Sequence, residues 1–115
     1  MRVAGDQSKS YLSALERLAK NGLNSFAYEK LELTGGVDTL TPPADAKYAI
    51  VVVESTELTG MVARMLSNKS VPVSATIGMP LINFSVVEVI DAKNITEVQF
   101  FLVAGTTAVN VEYFR

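Results

Sequence analysis

Carboxylates are the only side chains of this chain suited to ligate a metal, because the sequence has no cysteine and no histidine. The nearest pairs, Glu29 with Glu32 and Glu54 with Glu57, are each three positions apart. On a β-strand an odd spacing places two side chains on opposite faces of the sheet. No calcium-loop pattern of acidic residues and glycine occurs either. We therefore interpret all four as ordinary surface charges and predict no metal site.

Hydroxyl nucleophiles have no base beside them in this sequence. Without histidine, a catalytic serine would need a lysine three positions later, and Ser67 is followed there by Ser70. The glycines at Gly35, Gly36 and Gly78 form no phosphate-binding pattern and are interpreted as turn residues. The sequence therefore predicts no catalytic residue, no cofactor and no enzymatic activity.

Length and composition indicate one soluble domain that is covered in part by a partner. A chain of 115 residues has the usual size of a single domain. The net charge is −2 and the charges are scattered, which argues against nucleic-acid binding. Apolar runs such as 49–53 are far shorter than the roughly 20 residues of a membrane span, and residues 1–8 do not read as a secretory leader. A hydrophobic fraction of 49% with 19% charged residues favours association.

Residues 1–24 are predicted to form a helical arm. Asp6 or Ser8 is suited to cap the helix, which we expect to end near Lys20 because Gly22 provides a left-handed stop. Its apolar positions recur at spacings of three and four at Tyr11, Leu12, Leu15, Leu18 and Ala19. A helix of about three turns is marginal alone in water. The stripe must therefore dock on the domain's own sheet or on another copy of the protein, and the sequence leaves both open.

Residues 25–115 are predicted to form a β-sandwich domain. The strongest strand is 47–54, which is apolar on both faces and therefore central, and 71–80 carries two prolines and belongs at an edge. Other strands are expected at 25–33, 37–41, 61–66, 81–90, 98–104 and 108–114, with a hairpin-like return before 61–66, a turn at 91–94 and a terminal hairpin at 105–107. About seven or eight strands with one N-terminal α-helix predict an all-β, antiparallel, jelly-roll-like sandwich, with a closed barrel as the alternative.

The first strand alternates only roughly, whereas the last strand shows clean alternation that predicts which side chains share a face. In the first strand the apolar residues Phe26, Tyr28, Leu31 and Leu33 alternate, with one irregular step, with Glu29, Lys30 and Glu32. In the last strand Val109, Val111 and Tyr113 share one face, whereas Asn110 and Glu112 share the other.

Aromatic residues occur on both faces of the last two strands, at Phe100-Phe101 and at Tyr113-Phe114. One face must belong to the core. The other is expected either to form a subunit interface or to lie under the N-terminal helix. The predicted interface residues are Tyr11, Leu12, Leu15, Leu18, Phe101 and Phe114.

The order of several segments resembles that of small virion proteins of tailed bacteriophages. These segments are 46–54, with an Ala-x-Tyr-Ala strand that ends in glutamate, 62–65, compared with a Val-x-x-Arg strand of the family, 71–81, which ends in Gly-Met-Pro-Leu, and 105–114, with Asn-Val-x-Tyr. The similarity extends from about Pro43 to the C-terminus. The sequence departs from the family pattern at Asn68-Lys69-Ser70, where the family has an Asp-Gly turn, and in a longer insertion at 56–61.

This resemblance implies a capsid decoration, or cement, protein that is made in the cytoplasm of the bacterial host and located in the virion. Its implied partners are other copies of itself, with a trimer favoured, and the major capsid protein or another virion protein. A tail or head-to-tail joining component is an alternative. A carbohydrate-binding sandwich is another, which exposed aromatic side chains such as Tyr28 or Tyr48 would distinguish.

Overall fold

The computed structural model describes the backbone of residues 4–115 and the side chains from Ser10 onward. In this part of the chain the elements are α1 (Ala4–Lys20), β1 (Ser25–Glu32), β2 (Val37–Thr39), β3 (Tyr48–Ser55), β4 (Met61–Leu66), β5 (Met79–Ile82), β6 (Val86–Ile90), α2 (Ala92–Glu97), β7 (Gln99–Leu102) and β8 (Thr107–Phe114). The predicted all-β class with an N-terminal helix is confirmed, and a second, short helix is added to it.

Within residues 4–115, eight strands form two four-stranded sheets in which every neighbouring pair is antiparallel. Sheet A has the strand order β1-β8-β3-β6, and sheet B has the order β2-β7-β4-β5. Apolar residues from the two sheets pack against each other in one core. The two separate sheets make the fold a sandwich and not a closed barrel.

The core between the sheets follows from the alternation of the central strands. Strands β3 and β8 lie in the middle of sheet A, and their inward residues include Val51, Val53, Val109 and Val111, all fully buried. Phe100 of β7 lies in the same cluster, between the sheets. The prediction that 47–54 is central is confirmed, as is the predicted alternation along β8.

Both predicted hairpins are wrong. Strands β3 and β4 belong to different sheets, and so do β7 and β8, so the glycine-containing turns at 56–60 and 103–106 carry the chain from one sheet to the other. The edges of β8 are already paired with β1 and β3, which leaves no edge for β7. Of the consecutive strands, only β4 and β5 pair with each other.

The region 71–94 departs most from the sequence-based prediction. Residues 71–78 form no strand, although the edge position holds for β5, where Pro80 lies. The expected strand 81–90 is divided between β5 and β6 by a turn at Phe84, whose φ is 68°. The expected turn 91–94 lies largely in α2, because burial of Ile95 and Val98, three positions apart, fits one helical turn.

Helix α1 packs on the outer face of sheet A, within the same chain. Its buried residues Ala14 and Leu18 contact Ile50 and Phe114, and partly buried side chains surround them, namely Tyr11, Leu15, Leu23, Tyr48, Val52 and Val86. An exposed ion pair between Arg17 and Glu88, 2.6 Å apart, ties the helix to β6. Of the two docking modes that the sequence left open, the structure has the one on the domain's own sheet.

The ends and the stripe of α1 match the prediction in part. The helix ends at Lys20 and Gly22 has φ 78°, as expected for a left-handed stop. It begins at Ala4, before both predicted caps, and the side chains of Asp6 and Ser8 lie outside the described residues. The predicted stripe is wrong at two positions, because Leu12 and Ala19 are exposed while the small Ala14, omitted from it, is buried.

Candidate functional site

The six predicted interface residues occupy three environments. Leu18 and Phe114 are buried in the same cluster, and Tyr11 and Leu15 are partly buried beside them. Leu12 is 51% exposed on the far side of α1, and Phe101 is partly buried on sheet B. The structure therefore brings four of the six together inside one chain and separates the other two from them. An interface at these residues stays a prediction.

An open groove runs along the outer face of sheet A between α1 and β1. Its volume is about 630 Å³, which is within the usual range for small-molecule sites. Ile50 and Val52 of β3 form an apolar floor, while Tyr11 lies on the helix side and Tyr28 on the β1 side. We regard this groove as the candidate binding site.

Alternation in β8 places two polar side chains in the groove. Asn110 and Glu112 are two positions apart and therefore share the outer face, whereas Val109, Val111 and Tyr113 face the core. Glu112 lies opposite Tyr28 on β1 and opposite Ile50 on β3. The sandwich thus requires the inner face of β8 to be apolar and leaves the outer face available for recognition.

Hydrogen bonds hold both tyrosines of the groove in defined positions. The hydroxyl of Tyr11 donates to Glu112 over 2.6 Å, and the hydroxyl of Tyr28 donates to the side-chain oxygen of Asn110 over 2.7 Å. The amide nitrogen of Asn110 donates in turn to Glu54 over 3.1 Å. That bond, followed by the positive charge of Lys30, lowers the pKa of Glu54. The polar side of the groove is thus a connected network of side chains.

Strand β1 shows a different arrangement of faces from the one predicted. Its register with β8 shifts between Ser25 and Ala27, so Tyr28 points outward and is 64% exposed, whereas Glu29 is partly buried. A one-residue shift exchanges the two faces of every following residue. The prediction that Tyr28 shares the apolar face is therefore wrong, as is the interpretation of Glu29 as an ordinary surface charge.

Glu29 accepts hydrogen bonds from two other parts of the fold. The hydroxyl of the buried Tyr113 donates to it over 2.5 Å, and the backbone nitrogen and hydroxyl of Thr41 donate over 3.0 and 2.9 Å. Strand β8 is thereby linked through β1 to the segment after β2. An inward-pointing charge on an edge strand also discourages edge-to-edge pairing with another chain.

Two tyrosines are held in their neutral form by these contacts. The pKa of Tyr11 is raised to about 12, first by its hydrogen bond to Glu112 and then by burial and the charge of that carboxylate. The pKa of Tyr113 is raised well above its ordinary range, mainly by burial and further by its hydrogen bond to Glu29.

These raised pKa values predict that the protein loses stability in alkaline solution. An unfolded tyrosine ionises near pH 10, so the folded state binds more protons above that pH. The contribution of each tyrosine to the free energy of unfolding is fully present below about pH 10. Above pH 10 this contribution falls by about 1.4 kcal/mol per pH unit until the pKa of the folded state is reached. Urea unfolding of the Tyr113→Phe and Tyr11→Phe variants between pH 9 and 12 is expected to give shallower pH dependence than the wild type. Equal slopes in all three proteins would contradict the role of these contacts.

The sequence also raised the question of metal and membrane binding. Among the described residues, no three acidic side chains lie close enough to hold a metal ion together. Glu29 and Glu32 lie on opposite faces of β1, as their odd spacing predicted. Neither described helix has the length and apolar character needed to cross a membrane.

Sequence reasoning did not identify Asn110 and Glu112 as functional residues. Their signal was present, because the alternation along β8 assigned both to one face. What the sequence lacked was the position of α1, which forms the opposite wall of the groove only because it docks on the same sheet. Comparison of the chain with known protein families, with curated proteins and with solved structures finds no match.

Proposed function

We propose that this protein is a structural component of a bacteriophage particle, most simply a decoration protein that forms homo-oligomers and binds the head shell. The resemblance of the segments from Pro43 onward supports the assignment to phage. In this proposal the chain acts by packing against the major capsid protein and against other copies of itself, and not by catalysis.

The strand order supports the finer assignment of the sandwich as a jelly roll. With the order β1-β8-β3-β6 in one sheet and β2-β7-β4-β5 in the other, the chain crosses between the sheets at every connection except the one from β4 to β5. Eight antiparallel strands wrapped as two Greek keys form a jelly roll, an architecture that occurs in viral capsid and lectin domains.

The observation that carries the assembly role is the free edge of sheet B. Strand β5 is the last strand of that sheet, and its Met79 and Ile82 are 66% and 53% exposed. Phe84, two residues after the strand, is exposed as well, and so is Ile77, two residues before it. An unpaired strand edge lined by apolar side chains is a site for association with another chain. We assign this edge to the contact between copies.

Replacing Ile82 by lysine is therefore expected to convert an oligomer into a monomer, because it places a charge in the apolar contact. Light scattering of the purified chain measures this change. Ile90→Lys is the matched control, since Ile90 is 54% exposed on the edge strand β6 of the other sheet. A wild-type chain that is already monomeric, or equal dissociation by both variants, contradicts the assignment of the edge.

Binding to the head shell is tested with virions of the phage that encodes the chain. We expect mass spectrometry to find the protein in purified heads and the recombinant chain to bind heads that lack it. Detection in purified tails alone would replace decoration by a role in the tail. Absence from every virion fraction would overturn the proposal.

A further inference from the structure

We infer that the groove between α1 and β1 is a binding site for a neutral saccharide. The inference is independent of the phage assignment, because it depends only on the side chains around the groove. Its three components are an exposed aromatic ring, a carboxylate beside it and an apolar floor.

The exposed ring of Tyr28 offers a flat apolar surface to a ligand. Although the side chain is 64% exposed, its hydroxyl is tied to Asn110, so the ring is oriented before a ligand arrives. The C–H groups on one face of a pyranose ring pack well against such an aromatic face. An oriented ring also loses less conformational entropy when it binds.

Glu112 provides hydrogen-bond acceptors next to that surface. Its carboxylate accepts one hydrogen bond from Tyr11, and a carboxylate has about four acceptor positions. It lies opposite Tyr28 across the strand pair, so a sugar stacked on the ring would present its hydroxyl groups to this carboxylate. Saccharide hydroxyl groups, which occur as adjacent pairs, match an acceptor with two oxygens.

The charge of the groove selects neutral ligands over anionic ones. Of the nine described residues that line it, Glu112 is the only charged one. A sialylated or phosphorylated ligand would therefore meet the carboxylate of Glu112, because the cations beside the lining, Lys30 and Arg115, are already paired with Glu54 and Asp45. Ile50 and Val52 add apolar lining on β3, which is separated from Tyr28 on β1 by strand β8. These features favour a hexose or a short neutral glycan.

The test is a glycan array probed with the full-length chain, followed by NMR titration with the neutral glycan that binds best. We expect a dissociation constant of about 1 mM for a single hexose, as its small size implies, and shifts of backbone signals at Tyr28, Asn110 and Glu112. Tyr28→Ala and Glu112→Gln are each expected to weaken binding about tenfold or more. Leu58→Ala and Glu32→Gln are the controls, since they change an exposed apolar side chain and an exposed carboxylate elsewhere.

Each alternative outcome overturns the inference. Failure of all neutral glycans to bind would exclude the site, and preferential binding of sialylated glycans would show that its charge has been misinterpreted. Choline is included as a probe because an aromatic ring beside a carboxylate can also hold a quaternary ammonium ion. Binding of choline alone would replace the saccharide by a cationic ligand. Unchanged urea midpoints for the variants establish that any loss of binding does not reflect unfolding.

Discussion

Replacing Phe100 by alanine is expected to lower the free energy of unfolding by about 3–5 kcal/mol. The ring is fully buried between the two sheets, in one cluster with valines of β3 and β8. Removing it leaves a cavity that the two hydrogen-bonded sheets cannot fully close by moving together. Urea denaturation followed by circular dichroism measures the loss, since the chain contains no tryptophan.

Phe101→Ala is the matched control, because it removes the same ring from the next residue of the same strand. Phe101 lies in register with Val37 and Arg64 on the outer face of sheet B and is only partly buried. We expect a cost of about 1 kcal/mol, as for a typical substitution away from the core. Equal costs at both positions would contradict the assignment of faces along β7. Light scattering of the Phe101 variant tests in addition the predicted role of this residue in an interface.

The sequence was sufficient to predict most of the elements outside residues 71–94, but not the connections between the strands. A period of two marks β1 and β8 because one side of each strand must face the core, whereas β3 is apolar on both faces because α1 covers its outer face. A turn sequence such as 103–106 indicates that the chain reverses direction, but it does not indicate whether the chain returns to the same sheet. That choice depends on which strands already occupy the edges of β8, and this is a property of the complete fold.

The orientation of Tyr28 and Glu29 was hidden by an irregularity in β1. The sequence indicated an irregular step in β1 without placing it, and its position between Ser25 and Ala27 decides that Tyr28 faces solvent and Glu29 the interior. A bulge depends on the local twist of the strand pair, which apolar patterning does not encode. The helix stripe was misassigned for a similar reason. Because α1 lies close to the sheet, the position that is buried carries the small Ala14, while the larger Leu12 is exposed. The spacing of apolar residues does not reveal which helix position must carry a small side chain.

Replacing Phe114 by alanine is expected to cost about 3–5 kcal/mol and to loosen the attachment of α1. The ring is 1% exposed and fills the space between sheet A and the helix, where it shares a cluster with Leu18. Hydrogen exchange at the amides of α1 should therefore accelerate more than exchange at the amides of β7, which does not contact the helix cluster. Leu12→Ala, on the exposed side of α1, is the control and should change stability by less than about 0.5 kcal/mol.

A double-mutant cycle with Leu18→Ala distinguishes docking within one chain from docking on a neighbour. Leu18→Ala alone should lower the free energy of unfolding by about 2–5 kcal/mol. The loss in the double variant should be smaller than the sum of the two single losses by about 0.5–3 kcal/mol, because both residues share one cluster. If the helix docks in its own chain, this coupling does not change when the protein is diluted, since no second chain takes part. Coupling that disappears on dilution would show that α1 exchanges between subunits. In that case the cluster of Leu18 and Phe114 would belong to the contact between subunits. The interface predicted from the sequence would then be correct at these two residues.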